Sequence, residues 1–415
     1  AADDMPGHYR WSGGPRTTMT LPPDRYAAFR DRLAERAEAS RLRHTERYVP
    51  EPGTPYVVHE GERLLSFCSN DYLGLATDPE VVAGAVGATE SHGAGSGASR
   101  LVVGSFDIHE ELERELADFT GRDAALLFVS GYQANTSVIP AVASRGGLVL
   151  HDENAHASIR RGCWLSRAGT VRFRHNDVAH LEELLSEWVE REGAPPLIVT
   201  ESLFSMDGDR APLAGICEVA ERHGALLMVD DAHAIGVCGE RGEGLAAAHP
   251  RVDIVLGTFG KAFGTSGAFV ASSELLRSYL VNFCAGVVYT TAPPPPVVGA
   301  ARAALEVIRS GRLDQERFRA FVAATHERLA RAGFDTTPSD TWIVPVLLGD
   351  ARSALACQEH LRSRGILAVA IRPPTVPEGT ARLRVSLTRH HSAEHVEQLV
   401  AGLVEFRERA AGEAA

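Results

Sequence analysis

The stretch LAGICEVAERHGALLMVDDAH, residues 213–233, reads as a helix, a glycine turn and a strand that closes on two aspartates and a histidine. Its strand portion, ALLMV, is apolar at every position rather than at alternate ones, the mark of a strand buried on both faces. Similar runs occur at AALLFVS (124–130), LVLHD (148–152), PLIVTES (196–202), DIVLGTF (253–259) and GAFVAS (267–272), with helix-like stretches between several of them. The pattern predicts an α/β fold: a mostly parallel central sheet flanked by helices. In such sheets ligands sit at the carboxyl ends of the strands. The polar residues that close the runs are therefore the first candidates for chemistry.

Outward from this core, residues 1 to about 22 lack periodicity and read as an arm, while 24–43 carry Tyr26, Phe29, Leu33 and Ala37 at helical spacing. A short β segment is expected at 56–67, with Gly61 in its turn. The run PPPP at 293–296 breaks the pattern, a long helix is expected from there to about 310, and the remainder alternates helix and strand. The expected division is 1–65 as arm, helix and short β segment, 66–305 as the large domain, and 306–415 as a smaller α+β lobe. With 415 residues and 44 % hydrophobic content the chain can bury a core of that size. A formal net charge of −12 gives no bulk attraction for nucleic acid. Six scattered cysteines without a C-x-x-C pair fit reduced thiols and a cytoplasmic location. No run has the length of a membrane span, and the first residues do not have the form of a secretion signal.

Several segments can carry chemistry. Asp230 ends the 225–229 strand and His233 follows it. A buried carboxylate needs a partner, and a protonated nitrogen heterocycle such as the pyridine ring of pyridoxal 5′-phosphate (PLP) is one. A metal site or a helix N-cap would account for the same residues. Lys261 lies in GTFGKAFG (257–264), where burial would lower its pKa and favour imine chemistry. Ala262 follows it, so the segment is not a nucleotide-binding P-loop. Thr258 can donate a hydrogen bond to a phosphate from the same segment. SGYQAN (130–135) places Gly131 at a strand-to-helix turn that can cradle an anion, although such turns are common. His156 is compatible with stacking on a flat ring or with a structural role. Its spacing from His151 is not that of a zinc pair, so no metal is expected. Arg372 precedes two prolines and suits carboxylate binding, or is a surface arginine.

Taken in order, SNDYLGLA (69–76), GSGASRLVVG (95–104), HEELERELADF (109–119), LLFVSGYQAN (126–135), NAHASI (154–159), ESLFSMDGD (201–209), VDDAHAIGVCGERG (229–242), TFGKAFGTSGA (258–268) and IRPPTVPEGTARLR (371–384) resemble the α-oxoamine synthases, a family of fold-type I PLP enzymes. The resemblance runs from about residue 40 to the C-terminus. It is strongest to the 8-amino-7-oxononanoate synthase branch of biotin biosynthesis and departs from it at Ala234 and Ile235, where that branch reads Gly-Thr. The resemblance implies a fold-type I PLP-dependent transferase that condenses an amino acid, L-alanine in that branch, with an acyl-CoA or acyl-carrier protein and releases carbon dioxide. Members using glycine or serine are the alternative, and an aminotransferase or lyase on the same fold is a more distant one. It also implies roles. Lys261 holds the cofactor and serves as general base, Asp230 pairs with the pyridinium nitrogen, His156 stacks on the ring, and His233 bonds the ring hydroxyl oxygen. Ser130, Gly131, Tyr132 and Thr258 cradle the cofactor, and Glu201 and Ser205 lie near the ring hydroxyl. Asn70 and Arg372 hold the substrate carboxylate, and Arg43 meets the distal end of the acyl chain. Thr290 and Thr291 reach a neighbour's cofactor phosphate, so a homodimer with shared sites is expected, with no nucleic acid or membrane partner.

Overall fold

The computed structural model describes residues 23–38, 42–43, 45–143, 145–188, 195–336 and 338–414. The chain forms two compact units, Ala1–Tyr48 and Val49–Ala415. In the first, a 3₁₀ turn at Pro23–Tyr26 leads into the α-helix Ala27–Glu38, shorter than the expected 24–43. The expected arm at 1–22 lies outside the described residues.

The second unit begins with a short strand, β1 (Val49–Pro50), and a hairpin, β2 (Tyr56–His59) and β3 (Glu62–Ser66). Glu60 and Gly61 both take positive φ (49° and 88°), as a two-residue hairpin turn requires. Seven strands then build the large sheet: β4 (Ala124–Phe128), β5 (Leu148–Asp152), β6 (Gly169–Phe173), β7 (Leu197–Glu201), β8 (Leu226–Asp230), β9 (Ile254–Thr258) and β10 (Ala268–Ser272). Their spatial order is β4-β10-β9-β8-β7-β5-β6. Strands β5 to β9 are parallel, and β10 runs antiparallel to both of its neighbours, so β4 points the same way as β9.

Alternate residues of these strands enter two separate cores. Val229, Val255, Ile198 and Phe269 pack in one cluster, and Met228, Leu256, Val199 and Val270 in the other. Helices Asp107–Thr120, Val178–Glu187, Leu213–Arg222 and Pro295–Arg309 bring buried side chains to the first cluster, and Gly131–Val142, Ala157–Leu165 and Glu274–Phe283 to the second. Both faces are covered, and that is why these strands read as continuous apolar runs. Edge strand β6, GTVRF, escapes that reading because four of its five residues are exposed.

The last part of the chain contributes β11 (Ile343–Gly349), β12 (Ile366–Leu367), β13 (Val369–Ile371) and β14 (Ala381–Ser386). Strands β11, β14 and β13 form a small antiparallel sheet in that order, while β12 pairs in parallel with β3 and extends the N-terminal hairpin. All six cysteines are unpaired, and among the described residues no helix is long and apolar enough to cross a membrane.

Candidate active site

The carboxyl ends of β4, β5, β7, β8 and β9 lie along one edge of the large sheet, and Asp152, Glu201, Asp230 and Thr258 close four of those strands. Glu201 and Asp230 are direct register partners, so two buried carboxyl groups stand side by side. Lys261 follows three residues after the end of β9 and is half-buried.

Asp230 and Asp231 divide the work that the sequence left undecided between them. Asp231 turns toward a loop, where it accepts a short bond from Ser202 Oγ and bonds from the N–H groups of Leu245 and Ala246, both at 3.3 Å. It is the structural aspartate, and burial pushes its carboxyl up to about 6. Asp230 faces the other way. Its Oδ2 accepts from Asn135 Nδ2 at 2.7 Å and its Oδ1 from Ala232 N at 3.1 Å. Both donors are neutral, so the charge of this buried carboxylate is left for a cation to balance. Lys261 feels it: burial lowers the amine to about 8, while Asp230 and Glu201 oppose that fall. Burial and the neighbouring Asp230 charge raise Glu201 to about 8.

His156 caps the helix Ala157–Leu165, and its own N–H donates to Glu201 Oε1 at 2.7 Å. Its Nδ1 accepts from Ser158 N at 3.3 Å and lies 2.7 Å from Ser158 Oγ, which in turn accepts from Asn135 Nδ2 at 2.9 Å. The ring is therefore fixed through the same asparagine that holds Asp230. Burial lowers the pKa of His156, and with Nδ1 engaged as an acceptor the neutral ring carries its proton on Nε2. His233 is buried, and its Nδ1 lies 2.7 Å from Tyr72 Oη. Burial and the nearby Lys261 charge hold this imidazole neutral, well below its usual pKa.

Arg384 was not singled out from the sequence, although it closes the quoted TARLR segment. It is buried and donates to Ser205 O at 2.6 Å, Ser386 Oγ at 2.7 Å and Asn70 Oδ1 at 3.2 Å. Each of these acceptors is neutral. Asn70, Tyr72, Arg384 and His233 thus form one connected polar wall. Asn135, Ser158 and Tyr72 were likewise unassigned, and their only sequence signal was membership of the quoted motifs.

At the end of β4, Ser130 Oγ accepts from Gln133 N at 3.1 Å and caps the helix Gly131–Val142. The first N–H groups of that helix, those of Gly131 and Tyr132, have no intrahelical acceptor. A methyl group built on Gly131 would sit 3.8 Å from Thr258 Oγ1, so the turn and Thr258 are adjacent. The Thr258 hydroxyl donates to Gly267 O at 3.0 Å and accepts from Gly260 N at 3.2 Å. It steadies the lysine loop from beside the Gly131 turn. Tyr132 is exposed.

Arg43 belongs to the N-terminal unit and is exposed. Arg372 is half-buried and precedes Pro373. Thr290 is half-buried and Thr291 exposed, on a segment tied through Ala292 N to Ala98 O at 3.0 Å. Among the described residues no cluster of three or more histidine, cysteine or carboxylate side chains suits a metal ion.

A buried carboxylate whose hydrogen-bond donors are all neutral, an amine of lowered pKa, a neutral imidazole fixed through its Nδ1, and a helix N-terminus beside a glycine together suit an aromatic cation bearing an anionic group. The family model of class I and II aminotransferases matches residues 62–403. The chain is 46 % identical over 375 residues to the 8-amino-7-oxononanoate synthase of Gluconacetobacter diazotrophicus, spanning 87 % of this chain and 93 % of that one. Among solved structures, a serine palmitoyltransferase from S. paucimobilis with bound PLP–myriocin superposes with a TM-score of 0.86 at 31 % identity, covering 94 % of this chain and 98 % of that one. An 8-amino-7-oxononanoate synthase from Francisella tularensis superposes with a TM-score of 0.72 at 26 % identity, covering 84 % and 98 %.

Proposed function

Since the chain belongs to the class I and II aminotransferase family, in its α-oxoamine synthase branch, we propose that it joins L-alanine to an acyl thioester with loss of carbon dioxide, giving an α-aminoketone as 8-amino-7-oxononanoate synthases do. It is a PLP-dependent acyltransferase. The carrying observation is the pairing of Asp230, whose protein donors are all neutral, with Lys261, whose amine is lowered to about 8.

When bound, the cofactor ring accepts the electrons released at the substrate α-carbon. The chain's own residues prepare that event. Asp230, held by Asn135 and the Ala232 amide, would keep a proton on the ring nitrogen. His156 would hold the ring face, and His233, backed by Tyr72, would hold the ring oxygen together with Glu201 and Ser205. The amides of Gly131 and Tyr132, behind the Ser130 cap, would receive the phosphate with Thr258 beside them. Lys261 holds the cofactor. Its Nζ, when free, would take the substrate α-proton, and an amine lowered to about 8 suits a base that must also return a proton. Arg384 joins Asn70 and Arg372 as a receiver of the substrate carboxylate, because it is a buried cation with only neutral acceptors. Arg43 is assigned to the distal end of the acyl chain.

A homodimer with shared sites is part of this reading. Val102, Val103 and Tyr289 are 73 %, 72 % and 86 % exposed, and the Ala292–Ala98 bond ties their two segments together beside Thr290 and Thr291. Six unpaired cysteines fit a reducing cytoplasm. The test is product mass and thiol release with acyl-CoA and acyl-carrier donors against alanine, glycine and serine, with borohydride reduction of a separate portion of the holoenzyme. Labelling of Lys261 and an aminoketone formed from alanine are expected. A preference for serine would shift the reading toward the palmitoyltransferase neighbours, and absence of a labelled lysine would overturn it.

A further inference from the structure

His175 takes no part in the chemistry above, yet it joins two carboxylates that begin the walls of the site. Its Nδ1 lies 2.9 Å from Asp152 Oδ1 and its Nε2 lies 2.8 Å from Asp209 Oδ2. Asp152 ends β5, and its Oδ1 also accepts from Asn154 N at 2.8 Å, so it shapes the segment that leads to His156. Asp209 lies on the far side of the loop that carries Ser205, where its carbonyl accepts from Phe204 N at 2.9 Å. The Phe204 ring meets the imidazole edge-on at 4.5 Å. Both carboxylates are buried, and Asp209 Oδ1 is buried without a partner, so neutralisation of Asp209 falls on the groups at its Oδ2. Those are His175 Nε2 and the neutral Asn176 amide, 2.7 Å away.

We propose that His175 is a positioning residue of the cofactor site, bridging Asp152 and Asp209 and so setting the spacing between the segment that presents His156 and the loop that presents Ser205. This rests on the reading that the site holds the cofactor. The geometry requires the imidazolium, because a neutral ring would point a lone pair at one of two carboxylates. The two carboxylates raise the ring to about 10 against the opposing effect of burial. Glu153 Oε1 accepts from the His175 amide at 3.0 Å, while the neighbouring Arg174 pairs with Asp177 and Arg210, next to Asp209, pairs with Asp340. Removing the ring charge leaves Asp152 and Asp209 as unbalanced neighbours, and the loop is pushed away from the His156 segment.

The first measurement is nitrogen NMR of labelled histidine in the holoenzyme. Both ring nitrogens of His175 are expected to stay protonated from about pH 6 to about pH 9. Titration near the ordinary histidine pKa would overturn the proposal even if no variant folds. In His175→Gln, kcat is expected to fall on the order of a hundredfold, with weaker PLP binding by the apoprotein. The ratio of variant to parent affinity should improve as pH falls and one carboxylate takes a proton. The double variant His175→Gln/Asp209→Asn should recover most of the loss, since it removes the repulsion and not the lost packing. A pH-independent ratio, or a double variant no better than the single one, sinks the idea. Borohydride labelling of the parent is scored separately, so failure of the cofactor reading stays distinct from failure of this one.

Discussion

Replacing Asn135 with leucine should separate cofactor affinity from fold stability. Its Nδ2 donates at 2.7 Å to Asp230 and at 2.9 Å to Ser158 Oγ, while its Oδ1 is buried with no partner. Leucine keeps most of the volume and also removes that unsatisfied acceptor, which offsets part of the lost hydrogen bonding in the apoprotein. That relief is common to apoprotein and holoenzyme, but only the holoenzyme sets the carboxylate against a ring nitrogen, so the lost bond weighs on cofactor binding. A hydrogen bond to a charged acceptor contributes about 1.5–3 kcal/mol, and each 1.4 kcal/mol is about tenfold in affinity. The dissociation constant for PLP should therefore rise on the order of 10–100-fold, read from the absorbance of the lysine-bound cofactor as apoprotein is titrated. Thermal unfolding of the apoprotein should move little. Asn135→Asp, which sets a second carboxylate against the first, should abolish binding. A leucine variant that folds normally and binds PLP as the parent does would refute the role given to Asn135 and weaken the electrostatic account of Asp230.

Two further outcomes follow from burial and backbone geometry. Glu201 keeps a proton in the fold up to about pH 8 that the unfolded chain releases at its ordinary value of 4.5, so the stability of the apoprotein should fall as pH rises through that window; Glu201→Gln should flatten the fall seen in urea unfolding, leaving the slopes of Asp231 and, at higher pH, of His175, and an unchanged slope would count against a buried protonated Glu201. Gly264 takes φ of 66°, and a Cβ there would lie 2.2 Å from the Ala76 backbone nitrogen; Gly264→Ala should lower the melting temperature and loosen the Lys261 loop, whereas a parent-like melt would contradict the packing described.

The six apolar runs read from the sequence coincide with six strands of the large sheet because burial on both faces leaves no other composition. Strand direction was less legible, since an apolar run reads alike either way. The connection between β9 and β10, residues 259–267, is nevertheless too short for a parallel crossover, so the reversal was implicit in its length. Strand β6 was missed because an exposed edge carries threonine and arginine instead of an apolar run. At the site, Lys261 and Asp230 were legible because charged residues at the ends of buried strands are conspicuous. Asn135, Tyr72, Arg384 and His175 were not, because their partners are distant in sequence: Asn135 meets Asp230 across 95 positions and Arg384 meets Asn70 across 314. No periodicity reports such pairings.

The parallel pairing of β3 with β12 has a consequence for how the chain is made. Leu65 N donates to Gly365 O at 2.8 Å and Phe67 N to Leu367 O at 2.8 Å, so the free edge of the hairpin is satisfied only by residues some 300 positions later. At about 5–20 residues per second of synthesis, that edge waits roughly 15–60 s on the ribosome before its partner emerges. An unpaired strand edge is a template for pairing with another chain. Nascent polypeptides of this protein would therefore be most vulnerable to joining one another on a crowded polysome, and slowing translation anywhere between these two strands should deepen that risk in proportion to the delay.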